Sequence, residues 1–474
     1  MTNLKANKPS FSLELNVIVL AAGKGTRMSS PLPKVAHPVA GTPMIQRVVR
    51  QAKDIGAKEV RVVVGYGEAL IRQLVEPLGG ICKVQTSQQG TADAVRSAQP
   101  QDLTGMVLIL NGDHPLITAE DLVGIVKDFE QGSYDVAVVS SILNQPKSYG
   151  RIVRSGGELQ AIVEAKDASH ETLKIQEVNT GIYVARAEVL NQLLPKIKSN
   201  NAQGEYYLTD IIELCKQDGG SVGAVKAPKR VSFGVNNQQE LAQSTRILYR
   251  RKAKQLMDDG VVIVDPANTY IDESVEIGQA SVIYPNVMIR GNTKIAPYCV
   301  VESSCVISSA QLDEGVIVKA MSHLENCIIR ERAELGPYAR IRPESEVGKE
   351  ARIGNFVELK KVKFGEGSKA GHLTYLGDAE IGKNVNIGCG TITCNYAADK
   401  KKYRTEIGDG SFIGSDSQFV APIKIGKNAI IGSGSTITKD VPDNALAVAR
   451  GKQVVKENYK PSSPSNLKTT SLEN

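Results

Sequence analysis

Residues 407–437 read IGDGSF-IGSDSQ-FVAPIK-IGKNAI-IGSGST-I, with a large apolar residue at every sixth place: Ile407, Ile413, Phe419, Ile425, Ile431 and Ile437. The same spacing runs upstream through Ile271, Ile277, Ile283, Ile289, Ile295, Val301 and Ile307. It returns in a new phase at Leu335, Ile341, Val347, Ile353 and Leu359, and again at Ile381 and Ile387. Glycine often follows the aliphatic residue, as at Gly278, Gly348, Gly388, Gly414 and Gly432, and a small or β-branched residue commonly sits four places after it. Neither the 3.6-residue period of a helix nor the two-residue period of a strand produces this pattern. A hexad with one inward aliphatic residue per face is the mark of a parallel β-helix, three hexads to a triangular coil. Each coil buries only a thin inner layer, so stability comes from stacking. The breaks in phase are expected to mark inserted loops.

The composition suits such thin layers. Among 474 residues there are 43 Gly but only 7 Phe, 15 Tyr and no Trp. The hydrophobic fraction is 41% and the charged fraction 23%, ordinary for a folded chain and wrong for a wholly disordered one. The length calls for two or three domains. A net charge of +6 permits anionic small substrates and implies no nucleic-acid partner. The cysteines at 82, 215, 299, 305, 327, 389 and 394 are odd in number and form no CxxC pair, which argues against zinc or disulfide frameworks. No apolar run approaches the ~20 residues of a membrane span. Together these point to a cytoplasmic chain with reduced thiols and no membrane partner. Leu13–Ala22 ends like a signal-peptide cleavage site, but Glu14 and Asn16 interrupt it, so it reads as a buried strand.

The first half alternates short aliphatic strands (Asn16–Leu20, Glu59–Val64, Met106–Leu110, Asp135–Ser140) with amphipathic helices. Ile45, Val48, Val49, Ala52 and Ile55 lie at helical spacing, with Thr42 expected as N-cap and Pro43 as the first helical residue. Thr118 with Asp121 starts another helix. Such alternation predicts a mostly parallel sheet covered on both faces. Residues 238–258 lack Gly and Pro and read as one polar helix, a spacer between two folds. The expected organisation is therefore a disordered extension over 1–14, an α/β domain over 15–237, a linker helix over 238–260, a β-helix over 261–455 and a disordered tail over 456–474.

The first strand runs into Leu20-Ala21-Ala22-Gly23-Lys24-Gly25-Thr26-Arg27-Met28, with Pro33-Lys34 shortly after. The glycines let backbone N–H groups approach an anion, and Arg27 and Lys34 add charge for phosphates. On the glycines alone, a tight strand-to-helix turn is the competing reading. The segment is neither a P-loop nor a GxGxxG fingerprint. Gly-x-Gly-Thr-Arg-Met followed by Pro-Lys resembles the sugar-nucleotidyltransferase family, which joins a sugar 1-phosphate to a nucleoside triphosphate and releases pyrophosphate. The resemblance implies a Rossmann-like domain. It also implies base recognition through Gln85, Gln88, Gly90 and Thr91, beside Leu20, Ala21, Ala22 and Gly23. Asn111 stands where the family often has Tyr. Gly150, Glu164 and Asn179 would form the sugar pocket, and Asp113 with Asn236 would hold Mg²⁺. Arg27 and Lys34 would be the catalytic cations.

In the second half, non-periodic material carries the chemistry: Arg340-Ile341-Arg342-Pro343, Lys360-Lys361, Gly371-His372-Leu373-Thr374-Tyr375-Leu376-Gly377-Asp378 and Thr393-Cys394-Asn395-Tyr396. A lone His is most often structural, but His372 sits at a break in phase. These motifs resemble the hexapeptide-repeat acyltransferases, whose β-helix is left-handed. The two halves in this order resemble bacterial bifunctional enzymes that pair a uridylyltransferase with an acetyltransferase. That resemblance implies UTP, N-acetylglucosamine-1-phosphate, glucosamine-1-phosphate and acetyl-CoA as ligands, and a homotrimer with acetyltransferase sites shared between neighbouring chains. His372 would be the general base, which suits an imidazole of reference pKa ~6.5. Arg342 and Lys360 would hold the sugar phosphate, and Tyr375 and Asn386 the sugar. Asn395, Tyr396, Ser415, Ser433 (where the family has Ala) and Arg450 would contact acetyl-CoA. Lys400, Lys401, Lys402 and Arg404 read as a solvated loop, with coenzyme A phosphates as the competing partner. Two other readings stay open: a single-activity pyrophosphorylase, for example for ADP-glucose, with a regulatory β-helix, and a non-catalytic scaffold.

Overall fold

The computed structural model describes residues 9–199, 201 and 203–460. The extension expected over residues 1–14 lies outside the described residues up to residue 8, and the tail expected over 456–474 does so from 461. Ordered contacts begin before the first strand. Phe11 packs against the sheet core, the Ser12 backbone N–H donates to Glu130 at 2.6 Å, and Lys58 pairs with Glu14 at 2.8 Å. The described chain forms two compact units. The first holds residues up to Asp259 together with Asp265–Val275 and Ile289–Gly291. The second holds Gly260–Val264, Glu276–Met288 and the chain from Asn292 on.

The first unit is a nine-stranded sheet. Its main strands are β1 (Leu15–Leu20), β2 (Val60–Val64), β3 (Ile81–Val84), β4 (Met106–Asn111), β5 (Val136–Ile142), β6 (Arg151–Ser155), β7 (Glu158–Val163), β8 (Glu177–Arg186) and β9 (Val222–Lys226). The order is β9-β5-β8-β4-β1-β2-β3, with the β6–β7 hairpin attached through β8. All neighbours on the main path are parallel except β8, which runs antiparallel to both β4 and β5. Alternate residues feed two cores. Val17, Val19, Leu108 and Leu110 enter one, and Ile18, Val107 and Ile109 the other, so both faces are covered as the alternation predicts.

Three helices deserve description for what they position. Helix α1 (Met44–Asp54) starts two residues later than its expected cap. Thr42–Pro43 instead pairs antiparallel with Pro38–Val39, and this ladder takes Thr42 away from capping. Helix α2 (Ala119–Gln131) opens with the expected capping box of Thr118 and Asp121. Helix α3 (Gln238–Asp258) spans the predicted residues, capped by the Asn237 side chain, which accepts from the Glu240 N–H. It is not a free-standing spacer, because Leu248 packs into a cluster with Met28, Val39, Ala40, Met44, Leu116 and Val235.

The second unit is a stack of parallel strands, most of two or three residues and paired with the third strand along, so that three make a coil; Arg352–Phe364 and Lys369–Ile381 each run as one thirteen-residue strand and pair with each other. Ile407 lies beside Ile425 and Ile413 beside Ile431, eighteen residues on, as three hexads require. Every hexad position named from the sequence is buried. Each aliphatic side chain taken from water is worth roughly 1.5–3 kcal/mol, and the coils supply it one layer at a time. The small residues four places on are also inside: Ser281, Cys299, Ser411, Ser417 and Ser435. Ser411 Oγ donates to Gly408 O of its own coil and to Gly426 O of the next, both at 2.8 Å.

The glycine after the aliphatic residue is explained by the next coil. A Cβ on Gly278 would lie 2.5 Å from Pro297 N, and one on Gly414 the same distance from Ser433 N. Left-handed backbone appears two residues later, at Ala280, Asn286, Tyr298, Ser304, Tyr338 and Phe356 among others.

The expectation that phase breaks mark loops holds only once. From Ile307 to Leu312, Leu324 to Ile329, Leu359 to Phe364 and Leu376 to Ile381, the chain is one residue short of a hexad. The registers Ile307↔Leu324, Leu312↔Ile329, Leu359↔Leu376 and Phe364↔Ile381 keep these residues inside. Past Ile271 the one insertion among the described coils follows Thr393, where the register of Phe364↔Ile381 gives way to Ile381↔Ile407; the first coil also holds two extra residues between Ile263 and Ile271, since Ile263 lies beside Ile283.

Gly278→Ala forces a methyl onto the backbone of the following coil. It is expected to lower the thermal-unfolding midpoint by the equivalent of about 1–3 kcal/mol. An unchanged midpoint would mean that the coils are not in the close contact described.

Candidate active sites

The first site is built at the carboxyl ends of β1 and β4, where open α/β sheets expose backbone groups to ligands. Leu20 to Gly23 leave β1 and line a compartment of about 330 Å³ with Lys34, Gln85, Gln88, Gly90, Thr91, Asn111 and Asp113. Gln88 donates to Ala22 O at 3.0 Å, and Gln85 to Asp93 at 2.7 Å. Gly90 has φ +117°, and a Cβ there would strike Tyr206 O at 2.6 Å, so this turn requires glycine. A second compartment of about 530 Å³ shares Leu20, Thr91, Asn111 and Asp113 and adds Arg27, Gly150, Glu164, Asn179 and Asn236. Every residue assigned from the sequence to the first site therefore borders one continuous cleft.

Its electrostatic centre is a small network. The Lys34 ammonium bonds the Asp113 carboxylate and lies 3.4 Å from Asn236 Oδ1, to which Arg27 donates at 2.8 Å. Asp113 and Asn236 thus turn two oxygens toward one cation, the hard donor set that a divalent ion such as Mg²⁺ takes. Burial opposes ionisation of Asp113, but Lys34 and His114 outweigh it and hold the carboxyl below the usual range. Burial likewise holds the His114 imidazole below its usual range, against the pull of Asp113. Asn179 fixes the turn at Gly181, donating to Tyr183 OH at 3.0 Å and accepting from Gly181 N–H at 2.8 Å. Asn111 donates to Gly181 O at 3.3 Å. Glu164 is held above the usual carboxylate range by burial and by Asp167 and Asp210.

The second site runs along the β-helix. Asn355, His372, Cys389, Ser415 and Ser433 occupy the same place in five successive coils, as the registers Asn355↔His372, Ala370↔Ile387, Ile387↔Ile413 and Ile413↔Ile431 fix. His372 Nδ1 lies 2.8 Å from Asn355 Oδ1. Arg450 donates to Ser433 O at 2.6 Å at the far end of the column. On the adjoining face, Gly377 leaves room for two side chains. A Cβ there would lie 2.5 Å from the Tyr375 hydroxyl and 2.8 Å from Asn395 Nδ2. Asn395 in turn donates to Asp378. Arg342 is paired with Glu358 at 2.8 Å. Lys402 stands beside Lys360 and, with Arg342, holds that ammonium below its ordinary range. Asn386 sits one coil beyond His372, beside Lys369, and Tyr396 is exposed at the start of the inserted loop.

All four cations of residues 400–404 are exposed, in keeping with a solvated loop; within it Lys402 faces Lys360, and Arg404 pairs with Glu380. Three like charges gathered at Arg342, Lys360 and Lys402 are the arrangement a phosphate would relieve.

Residues 17–171 match the MobA-like NTP transferase domain, and residues 404–439 match the bacterial transferase hexapeptide (six repeats). Over 445 residues the chain is 60% identical to the bifunctional protein GlmU of Bdellovibrio bacteriovorus, covering 94% of this chain and 97% of that one. It is 46% identical over 452 residues to the GlmU of Geotalea uraniireducens (94% and 98% covered). It is 45% identical over 449 residues to that of Geobacillus thermodenitrificans (93% and 96%). The chain belongs to the bifunctional GlmU family. As a GlmU chain it is a two-part transferase, with a Rossmann-like nucleotidyltransferase half and a left-handed β-helix of hexapeptide coils. That removes the non-catalytic scaffold from the open readings. Several residues of this cleft escaped the sequence reading. Glu205, Tyr207, Lys147, Lys166 and His114 border the second compartment. Glu205 and Tyr207 carry no motif and only the tertiary fold brings them there, whereas His114, Lys147 and Lys166 lie within three residues of the assigned Asp113, Gly150 and Glu164. Among the described residues no group of three or more His, Cys, Asp or Glu side chains gathers as a metal site.

Glu164 gives this cleft a pH signature. Its folded-state pKa lies above its ordinary value of 4.5, so the folded chain binds its proton more tightly than the unfolded chain does. That contribution is complete below the unfolded value and is lost as pH rises through the raised one. Glu164→Gln is expected to gain thermal stability over the wild type as pH goes from about 4.5 to neutrality. Parallel stability curves over that window would show that Glu164 is not desolvated.

Proposed function

We propose that the chain makes UDP-N-acetylglucosamine in two steps. The β-helix half, residues 261–455, transfers acetyl from acetyl-CoA to glucosamine-1-phosphate. The α/β half, residues 15–237, with the helix of 238–260 between, couples the product to UTP and releases pyrophosphate. The observation that carries this is the presence on one chain of two separately built anion sites. One is the Gly23–Gly25 turn with Arg27 and Lys34, and the other is the trio Arg342, Lys360 and Lys402 near His372.

In acetyl transfer the sugar amine attacks the thioester carbonyl. The N–C bond forms, the C–S bond breaks, coenzyme A leaves as its thiolate, and the amine proton passes to His372. Arg342, Lys360 and Lys402 hold the phosphate of the acceptor. Tyr375, Asn386 and Asn395 orient its sugar ring and the acetyl group. The column of Ser415 and Ser433, ending at Arg450, carries the coenzyme, with Tyr396 beside it. In uridylyl transfer an oxygen of the sugar phosphate attacks the α-phosphorus of UTP and pyrophosphate leaves. Leu20–Gly23, Gln85, Gln88, Gly90 and Thr91 hold the nucleotide. Gly150, Glu164 and Asn179 hold the sugar beside Asn111. Arg27 and Lys34 meet the charge that builds on the leaving group, which is where preorganised cations help most. Asp113 and Asn236 would hold Mg²⁺, which neutralises the triphosphate when bound.

A homotrimer is part of the same reading. Met321, Tyr338, Phe356 and Leu373 stand exposed on successive coils along one edge, apolar surface that association would cover. The proposed compartment is the cytoplasm.

His372→Ala is expected to reduce coenzyme A release from acetyl-CoA and glucosamine-1-phosphate by ~10²–10⁴ while pyrophosphate release is unchanged. Lys402→Ala should raise KM for glucosamine-1-phosphate with little change in kcat, since it removes binding common to ground and transition states. If both activities fell together in a folded His372→Ala protein, the division of labour would be wrong. A wild-type chain with pyrophosphate release alone would support a single-activity pyrophosphorylase instead.

A further inference from the structure

We infer that Asn355 is a positioning residue for acetyl transfer: its side-chain oxygen takes the Nδ1–H of His372 and leaves Nε2 as the basic atom. This rests on the reading of His372 as the general base. The hydrogen bond is 2.8 Å and joins neighbouring coils at equivalent places. Those coils touch closely just before the pair, since a Cβ on Gly354 would lie 1.8 Å from Gly371 O. Just after it, both chains turn through left-handed backbone at bulky residues, Phe356 at φ 58° and Leu373 at φ 37°. A bulky side chain in that region is strained, and the strain persists only where the surroundings fix it. Asn355 and His372 are therefore aimed the same way by repeated backbone, not by chance rotamers.

An exposed imidazole in water samples both neutral tautomers and rotates about its side-chain bonds. Only the tautomer with hydrogen on Nδ1 has a lone pair on Nε2, and a carbonyl-type acceptor at Nδ1 selects it. An amide does this without adding charge, so the ring is oriented but not made to hold its proton more tightly, as a carboxylate partner would make it. The charged groups on the packed strands are Arg352, Glu358, Lys360, Lys361, Lys363, Lys369, Asp378 and Glu380, and several are otherwise engaged. Glu358 is paired with Arg342, Lys360 lies beside Lys402, and Asp378 accepts from Asn395. The next coil offers the Cys389 side chain at the equivalent place.

The test compares Asn355→Ala, Asn355→Asp and His372→Ala in the full-length protein. Asn355→Ala should lower kcat for acetyl transfer about 10- to 100-fold, less than loss of the base itself, with KM for both substrates and pyrophosphate release unchanged. Asn355→Asp keeps the acceptor and should restore most of kcat. Its carboxylate stabilises the imidazolium, so the acid limb of the pH profile should move up by about one unit or more. Histidine nitrogen shifts, read on protein labelled at its 5 histidines and assigned with His372→Ala, should show Nδ1 protonated in the wild type and a tautomer mixture in Asn355→Ala. Wild-type kcat in Asn355→Ala, or a proton on Nε2 in the wild type, overturns the inference alone. Full acetyl transfer in His372→Ala overturns the base assignment beneath it.

Discussion

The β-helix depends on the closeness with which one coil lies on the next. Where Gly278 and Gly414 follow the inner aliphatic residue, the following backbone passes within 2.5 Å of where a Cβ would be. This contact locks register, because sliding a coil by one residue would drive a side chain into that backbone and turn the buried aliphatic residues outward. Locked register has a chemical consequence. Residues far apart in sequence become neighbours in a column with fixed spacing and direction. Asn355, His372, Cys389, Ser415 and Ser433 form such a column. A long thin ligand such as acetyl-CoA suits a row of short side chains with one base near its end.

The first unit reaches its site by another route. Its sheet ends in backbone that glycine lets a ligand approach, and the polar side chains around the cleft already satisfy one another. Lys34 bonds Asp113, Arg27 bonds Asn236, and Gln88 bonds Ala22 O. A buried carboxylate such as Asp113 would be costly alone, and Lys34 keeps it charged. The same oxygens and cations are what a triphosphate and a hard divalent ion need, so binding exchanges partners within a network that is already in place.

How far the sequence could be read follows from these two designs. Inner positions such as Ile283 or Ile431 were legible because their side chains are large, aliphatic and evenly spaced. Ala370 and Thr393 were not, although each lies in register with inner residues of its neighbouring coil. Their side chains are too small or too polar to stand out, and the shortened turns before them had shifted the phase. The Gly23–Gly25 loop and Lys34 were legible because they are close in sequence. Glu205 and Tyr207 come to the cleft through long-range folding, which leaves no local pattern. The pairing of Asn355 with His372 was equally hidden, since any two outer residues one coil apart look alike until the length of that coil is known.

The irregular coils share a further property. The shortened turns fall on one corner, at Ser309, Asn326, Lys361 and Asp378 and again between Ile437 and Val441, and the inserted loop after Thr393 leaves from the same corner. A corner residue faces away from the inner layer, so dropping one removes no buried apolar contact. Extending the corner costs mainly loop entropy, which grows slowly with length. From Ile271 on, the other two corners keep the strict hexads that hold the stack together, while the first coil is two residues longer, with Ile263 beside Ile283. Past that coil, variation is confined to the edge beside Arg342, Lys360 and Lys402, where the loop brings a cation that no hexad position could supply. The irregular corner supplies the cations while His372, Ser415 and Ser433 stand on a regular one, and the fold tolerates both because the ladder on either side of the irregular corner stays in register.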